Sequence, residues 1–450
     1  MKKLALGLAA LTIPAIALAQ AETEDPASAD QPATTFAQDE PAAAPSPNEI
    51  VNGAPAEEWI TIAAEDLLVM TLAPDSAGNE RTVILQLMPA PFSQGWVENI
   101  RTLARAQWYD GVSVNRVQDN YVVQWGDPGH DNPESGEAET KALPEGLNVM
   151  GEEDYSITAE ALGEASINQN NIEEIRAHTP ANVLLYASDA ALQSILSNPA
   201  STEIERREAM TTYLELTRGV SAAAELSPSE LANILIRSTQ TTTAPEGFHQ
   251  RDSQTEWVEF WRGWPLGNYE IGPWRNKNDE VVEAPRIPRA EAYEQGMWRD
   301  VQESRFWPVH CYGMVGVGRN YSPDTGSGAE LYTVIGHAPR HLDRNIALVG
   351  RIISGMEHLS SMTRGTGALG FYTEDEAHLR TPIQSIRVAS DLAKDDQPRF
   401  EYLSTDGATF AAYAEARANR RDPFFIVPAG GADICNIPVP VRAVEDAEAE

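Results

Sequence analysis

Apolar and polar residues alternate over 82–88, where Val83, Leu85 and Leu87 oppose Thr82, Ile84 and Gln86, and 67–72 is apolar almost throughout. Both stretches predict β-strands. After Ala90-Pro91 the period lengthens, and Trp96, Ile100, Leu103 and Ala104 recur at helical spacing up to Gln107. Tyr109-Asp110-Gly111 then turns the chain into two further runs, 112–117 and 121–125, separated by Gln118-Asp119-Asn120. These form a β-hairpin or two consecutive strands. They carry one cation, Arg116, and one amide, Gln124, and period two sets Val122 and Gln124 on one face.

The pattern changes beyond 128. Residues 128–144 read as an exposed acidic loop, and helices are predicted over 181–196, 202–218 and 229–237. Thr202-Glu203-Ile204-Glu205 and Ser227-Pro228-Ser229-Glu230 supply capping boxes, the second with Pro at the first helical position. Trp257, Phe260, Trp261, Trp264, Tyr269 and Trp274 follow amid Gly and Pro, and read as an irregular segment packed on its neighbours rather than as a platform for proline-rich peptide or glycan. Strands return at 331–335 and 382–388, with helices over 356–362 and 409–419 and a short apolar run at 424–427.

Charge narrows the partners. A formal net charge of −34 on 450 residues repels nucleic acid and anionic membrane surfaces, so neither is expected as a partner. Met1-Lys2-Lys3, an apolar run to Ala15 and the small-residue site Ala17-Leu18-Ala19 read as a secretory signal peptide, cleaved before Gln20. No other run approaches the length of a spanning helix, so an exported, periplasmic protein without membrane insertion is expected after cleavage. The segment that follows, rich in Ala, Pro, Glu, Asp, Ser and Thr, reads as a disordered linker. Cys311 and Cys435 are the only cysteines; in an oxidising compartment they either pair or remain as buried thiols.

The stretch 109–127 resembles the first signature of cyclophilin-type peptidyl-prolyl isomerases, with Tyr121-Val122-Val123-Gln124-Trp125-Gly126-Asp127 in the place of Phe-Met-Ile-Gln-Gly-Gly-Asp. Val97-Glu98-Asn99 is similar to the family's Val-Glu-Asn-Phe, and Met314 and Gly318 match the Met and last Gly of a later block. His341-Leu342-Asp343 through Gly350 to Gly355-Met356 resembles Trp-Leu-Asp…Gly…Gly-Met at matching offsets. The resemblance implies a mainly β fold, a cyclophilin-like closed β-barrel capped by helices and split by a largely helical insertion. The expected organisation is a signal peptide (1–19), a linker (20–57), the first barrel part (58–130), the insertion with its aromatic-rich loop (131–305), the second barrel part (306–392) and a C-terminal extension (393–450).

The activity so implied is rotation of Xaa-Pro bonds in unfolded or partly folded exported polypeptides, with a catalytically weak peptide-binding or chaperone module as the alternative. The barrier, roughly 20 kcal/mol, comes from the partial double bond of the amide. Lowering it takes no metal and no cofactor; it takes an apolar slot for the proline ring and a donor aimed at the twisted amide. By position the resemblance assigns the donor to Arg116 and substrate binding to Tyr121, Val122, Gln124, Val315, Leu331, Thr333, His341 and Ile346. In this alignment Leu331 stands where the family has a peptide-binding Gln, Thr333 where it has a slot Phe, and Ile346 where it has a His. A Cys311–Cys435 bridge would pin the extension to the barrel. His310 reads as packing rather than as a metal ligand, since no second pair at zinc spacing exists.

Overall fold

The structure is a computed structural model, and it describes residues 44–127, 140–169, 255, 257–285, 292, 295–427 and 429–444. The signal peptide, most of the linker and the three helices expected over 181–237 lie outside the described residues.

Order begins earlier than the composition suggests. Helix α1 (Pro47–Asn52) starts within the stretch read as linker, because Ser46 and Glu49 close a capping box and Pro47 takes the first helical position. Strand β1 (Trp59–Thr61) follows, then β2 (Leu67–Leu72) and β3 (Arg81–Leu87). Helix α2 (Gln94–Arg105) buries Trp96, Val97, Ile100, Leu103 and Ala104, the face its spacing predicts. The hairpin then appears as β4 (Ser113–Val117) and β5 (Val122–Gly126).

Where it is described, the insertion departs from the helical expectation. After β6 (Ile157–Thr158) and α3 (Ala159–Gln169), the aromatic-rich segment forms strands β7 (Trp257–Trp261), β8 (Trp264–Ile271), β9 (Trp274–Arg275), β10 (Val281–Val282), β11 (Trp298–Arg299) and β12 (Glu303–Pro308). β6, β12, β8 and β7 make one four-stranded sheet, and β10, β9 and β11 a small second one. The cause is a two-residue turn. Arg262 and Gly263 both have positive φ, 47° and 80°, the geometry that folds back a tight hairpin and sets Trp261 opposite Trp264.

The chain continues through β13 (Met314–Val317), β14 (Glu330–Val334), β15 (Leu348–Ser354), α4 (Met356–Ser360), β16 (Ile383–Val388), β17 (Phe400–Leu403), α5 (Ala408–Ala418) and β18 (Val441–Ala443). Eight strands form one antiparallel sheet in the order β16-β2-β3-β15-β13-β14-β5-β4. Its edges meet: Ser113 bridges Pro382, Val114 N–H donates to Thr381 O, and Ile383 N–H donates to Val112 O, so the sheet curls into a nearly closed barrel. Leu85, Val123, Trp125, Val315, Val317 and Leu331 face one core with the apolar side of α2. A second cluster joins Trp59, Leu403, Phe410, Tyr413 and Ile437, with Ile50 and Val51 of α1 against it. Cys311 and Cys435 are bridged, with Cα atoms 5.1 Å apart.

Candidate active site

Four residues from four adjacent strands form a row across the barrel. Arg116 of β4 pairs with Gln124 of β5, Gln124 with Tyr332 of β14, and Tyr332 with Gly316 of β13. Directly paired residues share a sheet face, so the row looks outward while its neighbours Val123, Leu331 and Val317 fill the core. A register shift between Val114 and Arg116 brings the guanidinium into this row. Gly316 is required there, since a Cβ would lie 2.3 Å from the Tyr332 hydroxyl.

Above the row is a cavity of about 290 Å³ lined by Arg116, Tyr121, Val122, Gln124, Tyr332, Leu342 and Ile346, with residues 318–321 as a further wall. Val122, Tyr332, Tyr121, Leu342 and Ile346 make an apolar patch separate from the main core. Of the residues assigned from sequence, Arg116, Tyr121, Val122, Gln124 and Ile346 therefore come together. His341 stacks on Tyr121 with ring centroids 6.1 Å apart, without lining the cavity.

Val315, Leu331 and Thr333 do not belong to the pocket. Their partners across the sheet are Gly350 and Thr333, Trp125, and Val123, and Val315 and Leu331 lie in the barrel core. On β14 the residue between Leu331 and Thr333 is the one in the pocket row. The pocket-facing residue of β14 is Tyr332, which puts an aromatic ring in the floor. The lining residues the sequence reading missed are Tyr332, Leu342 and the wall at 318–321; the period-two rule applied from Gln124 across the sheet identifies the first of them.

Arg116 is held from three sides. Its Nε donates to Leu369 O at 2.7 Å, Nη1 to Gln124 Oε1 at 2.9 Å and Nη2 to Gln118 Oε1. The rings of Tyr121 and Phe371 lie 5.7 Å and 5.4 Å from the guanidinium carbon. The cation is thus fixed over the pocket floor, and burial beside it raises the Tyr121 phenol, with Arg116 pulling the other way.

Beneath the floor runs a buried chain of polar groups. Tyr332 OH lies 2.9 Å from His310 Nε2, and His310 Nδ1 lies 2.9 Å from Asp343 Oδ1. Asp343 also accepts from Arg340 Nε at 2.7 Å and from His310 N–H at 3.0 Å. Burial pushes the Asp343 carboxyl upward, but the bonds and charges of His310 and Arg340 outweigh it and hold the group below its ordinary value. Burial also raises the Tyr332 phenol well above its usual range. The imidazole of His310 thus links the Asp343 carboxylate to the Tyr332 hydroxyl.

Residues 83–175 match the family model described as cyclophilin type peptidyl-prolyl cis-trans isomerase/CLD. No curated protein matches the chain in sequence. Among solved structures, cyclophilin AquaCyp293 from Hirschia baltica is similar, at 16% identity and a TM-score of 0.46, over 86% of this chain and 95% of that one. The family match covers the strands that carry Arg116 and Gln124, and β13 to β16 complete the same barrel from the far side of the insertion. Residues 83–175 thus carry a cyclophilin-type sequence match within the barrel.

Proposed function

We propose that the protein is a peptidyl-prolyl cis–trans isomerase that assists the folding of exported polypeptides at their Xaa-Pro bonds. The observation that carries this reading is Arg116, clamped by Gln124 at 2.9 Å and by Leu369 O at 2.7 Å beside an apolar slot floored by Tyr332. A proline ring seated among Val122, Tyr332, Leu342 and Ile346 leaves its amide within reach of the guanidinium. When the bond twists, conjugation is lost and the prolyl nitrogen gains a lone pair; a fixed cation stabilises that state more than either planar isomer. Arg suits the role because it stays charged at every working pH. Holding it beforehand removes the cost of ordering it during the reaction.

The competing reading is a peptide-binding or chaperone module with little turnover. It is favoured by the spending of three guanidinium N–H groups on acceptors of the protein itself, out of five available. Exchange between cis and trans Xaa-Pro peptides, followed by NMR, separates the two. The wild type should accelerate exchange, and Arg116→Ala should lower kcat/KM by about a hundredfold or more, the scale of a lost transition-state donor. Equal, uncatalysed exchange with both proteins, together with suppression of client aggregation by both, would favour the binding module.

A further inference from the structure

The cavity wall opposite the barrel row carries a second guanidinium. Arg319 follows β13, and with Gly318, Asn320 and Tyr321 it lines the pocket that Arg116 also lines. Its Nε donates to Asn345 O at 2.9 Å and its Nη1 to Asn320 O at 2.7 Å. Both acceptors are backbone carbonyls, so neither neutralises the charge, and among the described residues no carboxylate is paired with this side chain. Asn345 directly precedes Ile346, a wall of the proline slot, so these bonds fix the guanidinium at the rim of that slot. Two of its five N–H groups are used; the remainder are available to a ligand in a fork that suits a carboxylate.

The lining residues of this cavity include two arginines and no carboxylate, in a chain of net charge −34. Of the acids near this wall, Asp324 accepts from Gly326 N–H at 2.8 Å. Glu330 lies behind Gly318 and accepts from Asn115 Nδ2 at 3.2 Å, and Asp343 is bound by His310 and Arg340. The acidic surface at large attracts basic peptides and repels acidic ones, so this locally cationic mouth is the place where an acidic segment is favoured.

We propose that Arg319 is a specificity-determining residue that selects peptides carrying a carboxylate side chain within two residues of the proline. An extended chain advances about 3.3 Å per residue, so a cation on the wall of the slot meets side chains one or two positions from the seated ring. The assignment rests on the pocket being the Xaa-Pro site of the preceding subsection, and Arg319 is separate from the donor that site uses.

The test is a set of Xaa-Pro peptides with Glu, Ala or Lys at the two positions before proline and the one after it. It is run on wild type, Arg319→Ala and Arg319→Lys, with both kcat/KM and affinity measured and folding checked by circular dichroism. For wild type the Glu peptide at the responsive position should exceed the Lys peptide by about two- to fivefold, the scale of exposed ion pairs. That ratio should fall toward one in Arg319→Ala, persist in part in Arg319→Lys, and shrink between 0.1 M and 1 M salt as the screening length drops from about 10 Å to about 3 Å. A Glu/Lys ratio of one in wild type, or a ratio unchanged in Arg319→Ala, overturns the proposal. If no peptide is turned over, the isomerase reading fails by itself, and the affinity ratio still decides whether Arg319 selects acidic chains.

Discussion

The hydroxyl of Tyr332 points away from the cavity, into the chain of polar groups that ends at Asp343. Tyr332→Phe therefore keeps the ring that floors the slot and strips His310 Nε2 of its partner. A buried polar atom left without its partner costs about 1–3 kcal/mol, so the variant should unfold at lower denaturant concentration while its KM for Xaa-Pro peptides changes by less than about twofold. A large rise in KM with stability intact would mean that the hydroxyl acts on the peptide instead. The same residue marks how far the site could be read in the sequence. Arg116, Tyr121, Val122 and Gln124 lie in an unbroken strand pair whose alternation fixes their face. Glu330-Leu331-Tyr332-Thr333-Val334 is buried on both faces, so alternation there is weak, and the long connection from Gly318 gives no count from which to set the register.

At the scale of elements, the barrel strands and α2 were legible because each buries one face and shows its period. β2 falls on the predicted residues, and β16 and α5 fall within a residue of theirs at each end. The β7–β8 hairpin was obscured for the opposite reason. Its aromatic residues sit on both faces, and its turn is Arg-Gly, with a non-glycine residue at positive φ that composition does not announce. The C-terminal extension depends on the Cys311–Cys435 bridge, which closes a separation of 124 residues. Closing a loop of that size removes about 4–5 kcal/mol of unfolded-state entropy in the chain-entropy account. Cys435→Ser should lower the unfolding midpoint, and hydrogen exchange should quicken in 408–418 and 441–443 ahead of β13 and β15. Uniform acceleration across the barrel would show instead that the extension is integral to the barrel core.

For the whole molecule, the seam where the insertion, the barrel and the extension meet is electrostatically loaded. Arg351 of β15 is buried there, donating from Nε to Gln86 Oε1 at 2.8 Å and from Nη1 to Gly263 O at 2.7 Å, with its carbon 4.5 Å from the Trp264 ring. Burial lowers its pKa to about 10, still far above neutrality, so the cation persists. Glu259 of β7 is affected in the opposite sense. Burial, with a smaller push from Asp406 of the extension, raises its carboxyl from 4.5 to about 7. Between those two values the folded chain holds a proton that the unfolded chain has released. Stability from this group is therefore full below about pH 4.5 and is lost as the pH rises through about 7. Glu259→Gln removes the titration and keeps an amide of similar shape. Its unfolding temperature should differ little from wild type at pH 5 and exceed it at pH 8, the gap opening between those values. A gap that is constant with pH would place the raised carboxyl elsewhere, whereas one that opens as described would identify an acid-favoured seam in a protein whose net charge of −34 already penalises every further carboxylate.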